Sequence, residues 1–164
     1  MRPLYQQLKM NHYSSTDGSA DFVDARDVYA EIGYDYDDII KVNQAFKNTC
    51  AVRMSLALLK CNVPFDGRFI IKAGAYKGRK IESGAKLLAD QLYKSSAFGK
   101  AEIYTDRRSG GQALRNRRGV VFFNVVNGYG GGHIDLLEPE GNNAFTCHSM
   151  CLPDCKEIWF WELK

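Results

Sequence analysis

The sequence predicts an α+β fold in which N-terminal helices pack on a C-terminal antiparallel sheet. Three observations carry this. The run from about Thr49 to Cys61 is apolar on nearly every side, as a buried central helix must be. The last third of the chain holds four consecutive strand-like segments, Val120–Val126, His133–Leu137, Ala144–His148 and Glu157–Leu163. The helical segments come before them, and this segregation is the pattern of helices laid on an antiparallel sheet.

Taken in order, Asn11 to Asp21 is a polar loop rich in Ser, Asp and Gly, and Asp24 to Ile32 reads as a short helix. Tyr34-Asp35-Tyr36-Asp37-Asp38 reads as an acidic aromatic turn leading into Ile39-Ile40. Asn48 is placed as the N-cap of the central helix, since its side chain can accept from the first free N–H groups. Ala51, Met54, Ala57, Leu58 and Cys61 share one face of that helix, and Val52, Leu56 and Leu59 share another. Asn62-Val63-Pro64 ends it. Phe69-Ile70-Ile71 is a candidate strand, and Ser83 caps a helix running through Leu87, Leu88, Leu92 and Tyr93. A strand at Ala101–Tyr104, a helix around Gln112–Arg117 and a hairpin turn at Pro139–Asn142 complete the reading.

A chain of 164 residues fits one domain, 1–164, long enough to bury a core without metal or disulfide staples. Hydrophobic residues at 45% and charged residues at 25% are ordinary for a globular protein, which leaves function to the motifs. A net charge of +3 is too mild and too scattered to argue for nucleic acid. Arg107-Arg108 and Arg115-Asn116-Arg117-Arg118 read as a solvated helix and its flanks. No stretch approaches the roughly 20 apolar residues of a membrane span. The N-terminal residues lack the apolar core of a signal peptide, so neither membrane insertion nor a cleaved leader is expected.

Cys50 falls in the first turn of the central helix, where free N–H groups and the helix dipole favour negative charge. A thiolate is the nucleophilic form of cysteine, and a helix start is a recurring place to make one. A free cysteine is also commonly a small buried residue, and position alone does not choose between the readings. The run Gly128-Tyr129-Gly130-Gly131-Gly132 delivers His133 at the start of a strand. Such glycines allow positive φ and close approach, which suits the wall of a groove. A nucleophilic Cys at a helix start with its His far downstream on a strand is the order of papain-like enzymes. His12, by contrast, lies in a polar loop with no partner in view and is not expected to serve catalysis.

Asn48-Thr49-Cys50-Ala51-Val52-Arg53-Met54-Ser55, Tyr76-Lys77-Gly78-Arg79-Lys80 and Gly131-Gly132-His133-Ile134-Asp135-Leu136 resemble the fourth family of type VI secretion amidase effectors. The likeness runs from Arg2-Pro3 to Trp159-Phe160-Trp161, and such effectors are similar to NlpC-type, papain-fold peptidases. The resemblance implies an antibacterial cysteine hydrolase without a cofactor, carried by type VI secretion from the producer's cytoplasm into a rival's periplasm. There it would cut peptidoglycan stem peptides between D-glutamate and meso-diaminopimelate, and a cognate immunity protein would block its cleft.

A Cys–His pair needs a third group to fix the imidazole. Asp135, two residues after His133 on the same strand face, is the first candidate, although its charge could instead satisfy a backbone group or Arg53. In papain-like folds the orienting residue comes from the neighbouring strand, which brings in His148 and Ser149 across the hairpin and Asn143 nearer the turn. The family's aspartate downstream of the His has no counterpart here, because none occurs between Asp135 and Asp154. For the oxyanion, the Cys50 backbone N–H is the natural donor. Gln44 is a candidate by analogy with papain, and Tyr34 and Tyr36 by analogy with NlpC-type enzymes.

Cys147, Cys151 and Cys155, with His148 among them, could hold zinc, though the spacing is unusual and no second half-site follows. An oxidising periplasm favours a disulfide instead. Cys147–Cys151 is preferred because both flank a bend, and Cys155 is the alternative partner. Two other functions stay open: a papain-like deamidase or transglutaminase acting on protein glutamine, and a non-enzymatic, zinc-stabilised binding module.

Overall fold

The computed structural model describes residues 1–164. Six α-helices and seven strands follow the chain as α1 (Tyr5–Asn11), α2 (Ala25–Glu31), α3 (Tyr36–Val42), α4 (Cys50–Lys60), β1 (Phe69–Ile70), β2 (Lys80–Ile81), α5 (Ala85–Tyr93), β3 (Glu102–Tyr104), α6 (Arg107–Ala113), β4 (Gly119–Val126), β5 (His133–Glu140), β6 (Ala144–Cys147) and β7 (Cys155–Glu162). A 3₁₀ turn at Gln44–Lys47 leads into α4. The five-stranded sheet has the order β3-β7-β4-β5-β6, with every pairing antiparallel, and β1 and β2 form a separate ribbon. No helix is long and apolar enough to cross a membrane.

α4 is the central helix, and nine of its residues, Ala51 through Leu59, are buried. Ala51, Met54, Ala57 and Leu58 pack with Leu88, Ala89 and Leu92 of α5 against Val120, Phe122, Ile134, Leu136 and Trp161 of the sheet. Val52, Leu56 and Leu59 pack instead on Val28, Tyr29 and Ile39 from α2 and α3. The other face of the sheet buries Val121, Phe123, Leu137, Ile158 and Phe160 with Leu114. Alternation along each strand thus feeds two cores, one on each side.

Several elements depart from expectation. α1 and α3 replace a segment without assignment and an acidic turn, and the same Asp35 that suggested a turn caps α3 by accepting from Asp38 N–H at 3.0 Å. Ser83 does not cap α5; Gly84 holds that position without a side-chain cap. α6 begins earlier than expected because Asp106 accepts from the N–H groups of Arg108 and Ser109. β5 continues through Pro139 to Glu140, and the turn falls on Gly141–Asn143. Proline is tolerated there because pairing with β4 has already ended at Gly119–Leu137, so no ladder bond is lost on that side.

Candidate active site

α4 starts one residue later than the sequence suggests. Thr49, not Asn48, is the N-cap residue, and its hydroxyl is occupied by accepting from Arg53 Nε at 2.7 Å. Asn48 still reaches the helix start, accepting from the Cys50 N–H at 3.3 Å. Arg53 is buried one turn below Cys50, donating to the carbonyls of Ser14 at 2.8 Å and Val23 at 2.7 Å. It therefore makes no hydrogen bond to Asp135.

His133 opens β5 and stacks its ring on Phe123, its cross-strand partner in β4, with centroids 6.2 Å apart and planes 7° from parallel. Its Nε2 lies 3.4 Å from Asp135 Oδ2, an ionic contact rather than a well-formed hydrogen bond. Cys50 lines the same basin as His133 and is the second side chain that acts on the ring. Burial alone would strip the His133 proton, but contacts with Asp135 and Cys50 outweigh it and push the imidazole up to about 10.

Asp135 is fully buried. Its Oδ1 accepts from Leu136 N–H at 2.8 Å, and its Oδ2 accepts from Ser149 N–H at 3.0 Å and Met150 N–H at 2.8 Å. Burial would raise this carboxyl. The His133 contact, the nearby His12, the charge of His133 and the Met150 N–H reverse that and hold it below its ordinary range. A buried carboxylate with three backbone donors and an imidazole is a satisfied anion, not a stray charge.

Cys50 lies where two basins of a groove meet. One, of about 480 Å³, includes Gln44, Lys47, Ser83, Gly84 and Gly131. The other, of about 450 Å³, includes Ser15, Asn127, His133, Met150 and Leu152. Asn48 and Tyr129 line both, and the Asn48 amide donates to the Tyr129 hydroxyl, bridging the groove at the cysteine. Tyr129 rides on a loop whose Gly128 and Gly130 both have φ of +76°. At Gly132 a Cβ would come within 2.5 Å of the Phe122 ring, so only glycine lets the loop lie on the sheet. Sequence reasoning read this stretch for its glycines and missed the tyrosine among them. A larger groove between α6 and the β5–β6 turn, about 810 Å³ with Arg107, Arg108 and Arg115, lies away from this chemistry.

The remaining candidates are dispersed. The Gln44 amide lines the first basin but donates to Ile40 O at 3.0 Å. Tyr34 donates to Ile70 O and Tyr36 packs on Tyr29, and neither lines the basins at Cys50. Asn143 sits in the turn at the far end of β5, beside Asn116. His148 and Ser149 face Asp135 rather than His133: the His148 N–H donates to Leu136 O, and Ser149 offers Asp135 its N–H while its Oγ accepts from Ser15.

Cys147 and Cys151 form a disulfide, with Cα atoms 5.1 Å apart, while Cys155, Cys61 and Cys50 are free. Two of the three thiols a zinc module would need are thus bonded to each other. His12 is not loose in a polar loop. It is buried, with its Nδ1 2.8 Å from Nδ1 of His148.

Residues 46–161, well over half of the chain, match the family model described as type VI secretion system amidase effector protein 4. No curated protein matches the sequence. Among solved structures, the chain is similar to the type VI effector Tae4 from Enterobacter cloacae, at 19% identity and a TM-score of 0.66, covering 100% of this chain and 98% of that one. It is similar to Tae4 in the Tae4–Tai4 effector–immunity complex from Salmonella Typhimurium, at 19% identity and a TM-score of 0.65 with both chains fully covered. The Enterobacter cloacae Tae4–Tai4 complex gives 20% identity and a TM-score of 0.63, again over the whole of both chains. The α+β fold is theirs, and by its sequence the chain belongs to the amidase effector protein 4 family of the type VI secretion system, antibacterial hydrolases of peptidoglycan.

Proposed function

We propose that Cys50 is the nucleophile of this amidase, with His133 as its acid–base partner and Asp135 as the group that orients the imidazole. The observation that supports the reading is an imidazole beside a buried carboxylate in a basin that Cys50 also lines, with Cys50 reaching into the second basin as well. The proposed substrate is the stem peptide of peptidoglycan, cut between D-glutamate and meso-diaminopimelate. Each basin would take the residues on one side of the bond.

The Cys50 sulfur attacks the carbonyl carbon of the D-glutamate linkage, and its proton resides on His133 Nδ1. The oxyanion lies at the start of α4, where the Cys50 N–H can exchange its long contact with Asn48 for the developing charge. His133 then gives its proton to the diaminopimelate nitrogen, the C–N bond breaks, and a thioester remains on Cys50. Water, losing a proton to His133, attacks the thioester, and the returning proton restores the thiol. Asp135 keeps Nε2–H aimed inward throughout, so Nδ1 faces the sulfur.

Delivery into a rival's periplasm by type VI secretion gives this chemistry its substrate. Inhibition by a cognate immunity protein is proposed by likeness to the Tae4–Tai4 complexes. Mass spectrometry of sacculi digested by the wild type and by Cys50→Ala tests the reading. The expected result is new diaminopimelate amino termini from the wild type alone. Cleavage by Cys50→Ala overturns it.

A further inference from the structure

Behind Asp135 lies a second cluster of titratable side chains that the steps above do not use. His12 is buried at the end of α1, His148 follows β6, and Asp21 closes the polar loop between α1 and α2. Nδ1 of His148 meets Nδ1 of His12 at 2.8 Å, and Nε2 of His148 meets Asp21 Oδ2 at 2.9 Å. The geometry fixes the protons. Asp21 can only accept, so His148 Nε2 donates. With His148 neutral, its Nδ1 accepts from His12 Nδ1–H, and His12 Nε2 is left as a bare acceptor. That atom is the buried nitrogen of His12 that finds no partner. A charged His148 would instead donate to His12 Nδ1 and turn that same Nε2 into an orphaned N–H.

The cluster bears on the loop that serves Asp135. Ser149 and Met150 donate their N–H groups to its Oδ2. The same loop is tied from behind: Ser14 Oγ donates to His148 O at 2.8 Å, Thr16 Oγ1 to Ser149 O at 2.6 Å, and Ser15 N–H to Ser149 Oγ at 3.0 Å. The His148 ring adds a side-chain tie to this backing, to the end of α1 by His12 and to the polar loop by Asp21.

We propose that His148, clasped between His12 and Asp21, is a positioning residue that fixes the 148–150 loop and thereby aims Asp135 at His133. The proposal rests on the Cys50–His133–Asp135 reading above. None of the three clasp residues lines either basin, so the clasp acts on the chemical step and not on substrate binding.

Two measurements on the full chain test it. In steady-state hydrolysis of a soluble stem peptide, His148→Ala lowers kcat roughly tenfold with KM nearly unchanged, the scale expected when an oriented group is loosened. His148→Gln, which keeps an N–H within reach of Asp21, recovers part of that loss. In NMR titration of the resting protein, the His133 ring of His148→Ala moves down toward the ordinary imidazole range, because Asp135 no longer holds it. Asp21→Asn alters a half-exposed carboxylate and keeps the fold. It shows the same two effects in smaller measure, and it decides the matter if His148→Ala does not fold. Unchanged kcat and unchanged His133 titration in Asp21→Asn and His148→Gln, whatever their melting temperatures, overturn the proposal. A wild type that leaves the peptide uncut defeats the hydrolase reading instead, while the His133 titration still reads the clasp.

Discussion

His133 keeps its proton well past neutrality because Asp135 and Cys50 outweigh the burial that would remove it. An unfolded imidazole titrates near 6.5, so this group contributes stability that is complete below that pH and is lost as pH climbs through about 10. Asp135→Asn should therefore lower the melting temperature clearly at pH about 6 and much less at pH about 10.5. A gap that stays constant with pH would disconnect the two side chains. His12 has the opposite sign. Burial above all, with Arg53 and the neighbouring imidazoles adding to it, pushes it down to about 4 against the pull of Asp135. The fold accordingly sheds stability as pH falls from about 6.5 toward 4, as a buried neutral imidazole must. Cys50→Ala and His133→Ala should each abolish turnover, by at least about a thousandfold in kcat. Cys50→Ala should keep the fold, since alanine suits a helix start, with a melting temperature lowered at pH about 6 only by the loss of one of the two partners of His133.

Two short segments, the glycine loop carrying Tyr129 and the disulfide-closed loop after β6, decide how the site is built at the scale of elements. The bridge from Cys147 to Cys151 encloses His148, Ser149 and Met150, the residues that supply or anchor the donors to Asp135. So short a closure restricts the unfolded chain little. Reduction should thus cost more activity than melting temperature, measured on one sample before and after a mild thiol reductant. Equal activity of the reduced protein would show that the loop holds without its crosslink. The sequence made α4 and the sheet plain because their apolar patterns are long. α1 offered only Tyr5 and Leu8 as buried positions, too few to set a period. The start of α6 hid behind Gly110 and Gly111, and at Gly110 a Cβ would press on Tyr104 at 3.2 Å and Ile158 at 3.1 Å. Cys50 and His133 were legible because each stands at an element boundary with a distinctive neighbourhood. The clasp was not, since His12 and His148 are 136 residues apart and their burial arises only in the folded state.

Across the whole molecule, the proposed nucleophile and its proposed base come from different layers. Cys50 is fixed by a helix buried on every side, and His133 with Asp135 by a strand flanked on one edge by β4 and on the other by β6 and the loop beyond it. The groove lies along that seam, so its geometry is as rigid as the packing of α4 on the sheet. Expression directed to the periplasm of a Gram-negative host should lyse it, while cytosolic expression is tolerated, because the proposed substrate lies outside the inner membrane. Lysis should disappear with Cys50→Ala at equal protein levels. The contact between Asn48 and Tyr129 gives this groove a direction in time. A continuous peptide lying in both basins would have to pass it, since Asn48, Tyr129 and Cys50 all line both. Once the backbone is severed, neither fragment runs beneath the crossing, and the contact can re-form between them. A strap that resists entry of the intact chain would then separate its halves, favouring their departure over rejoining.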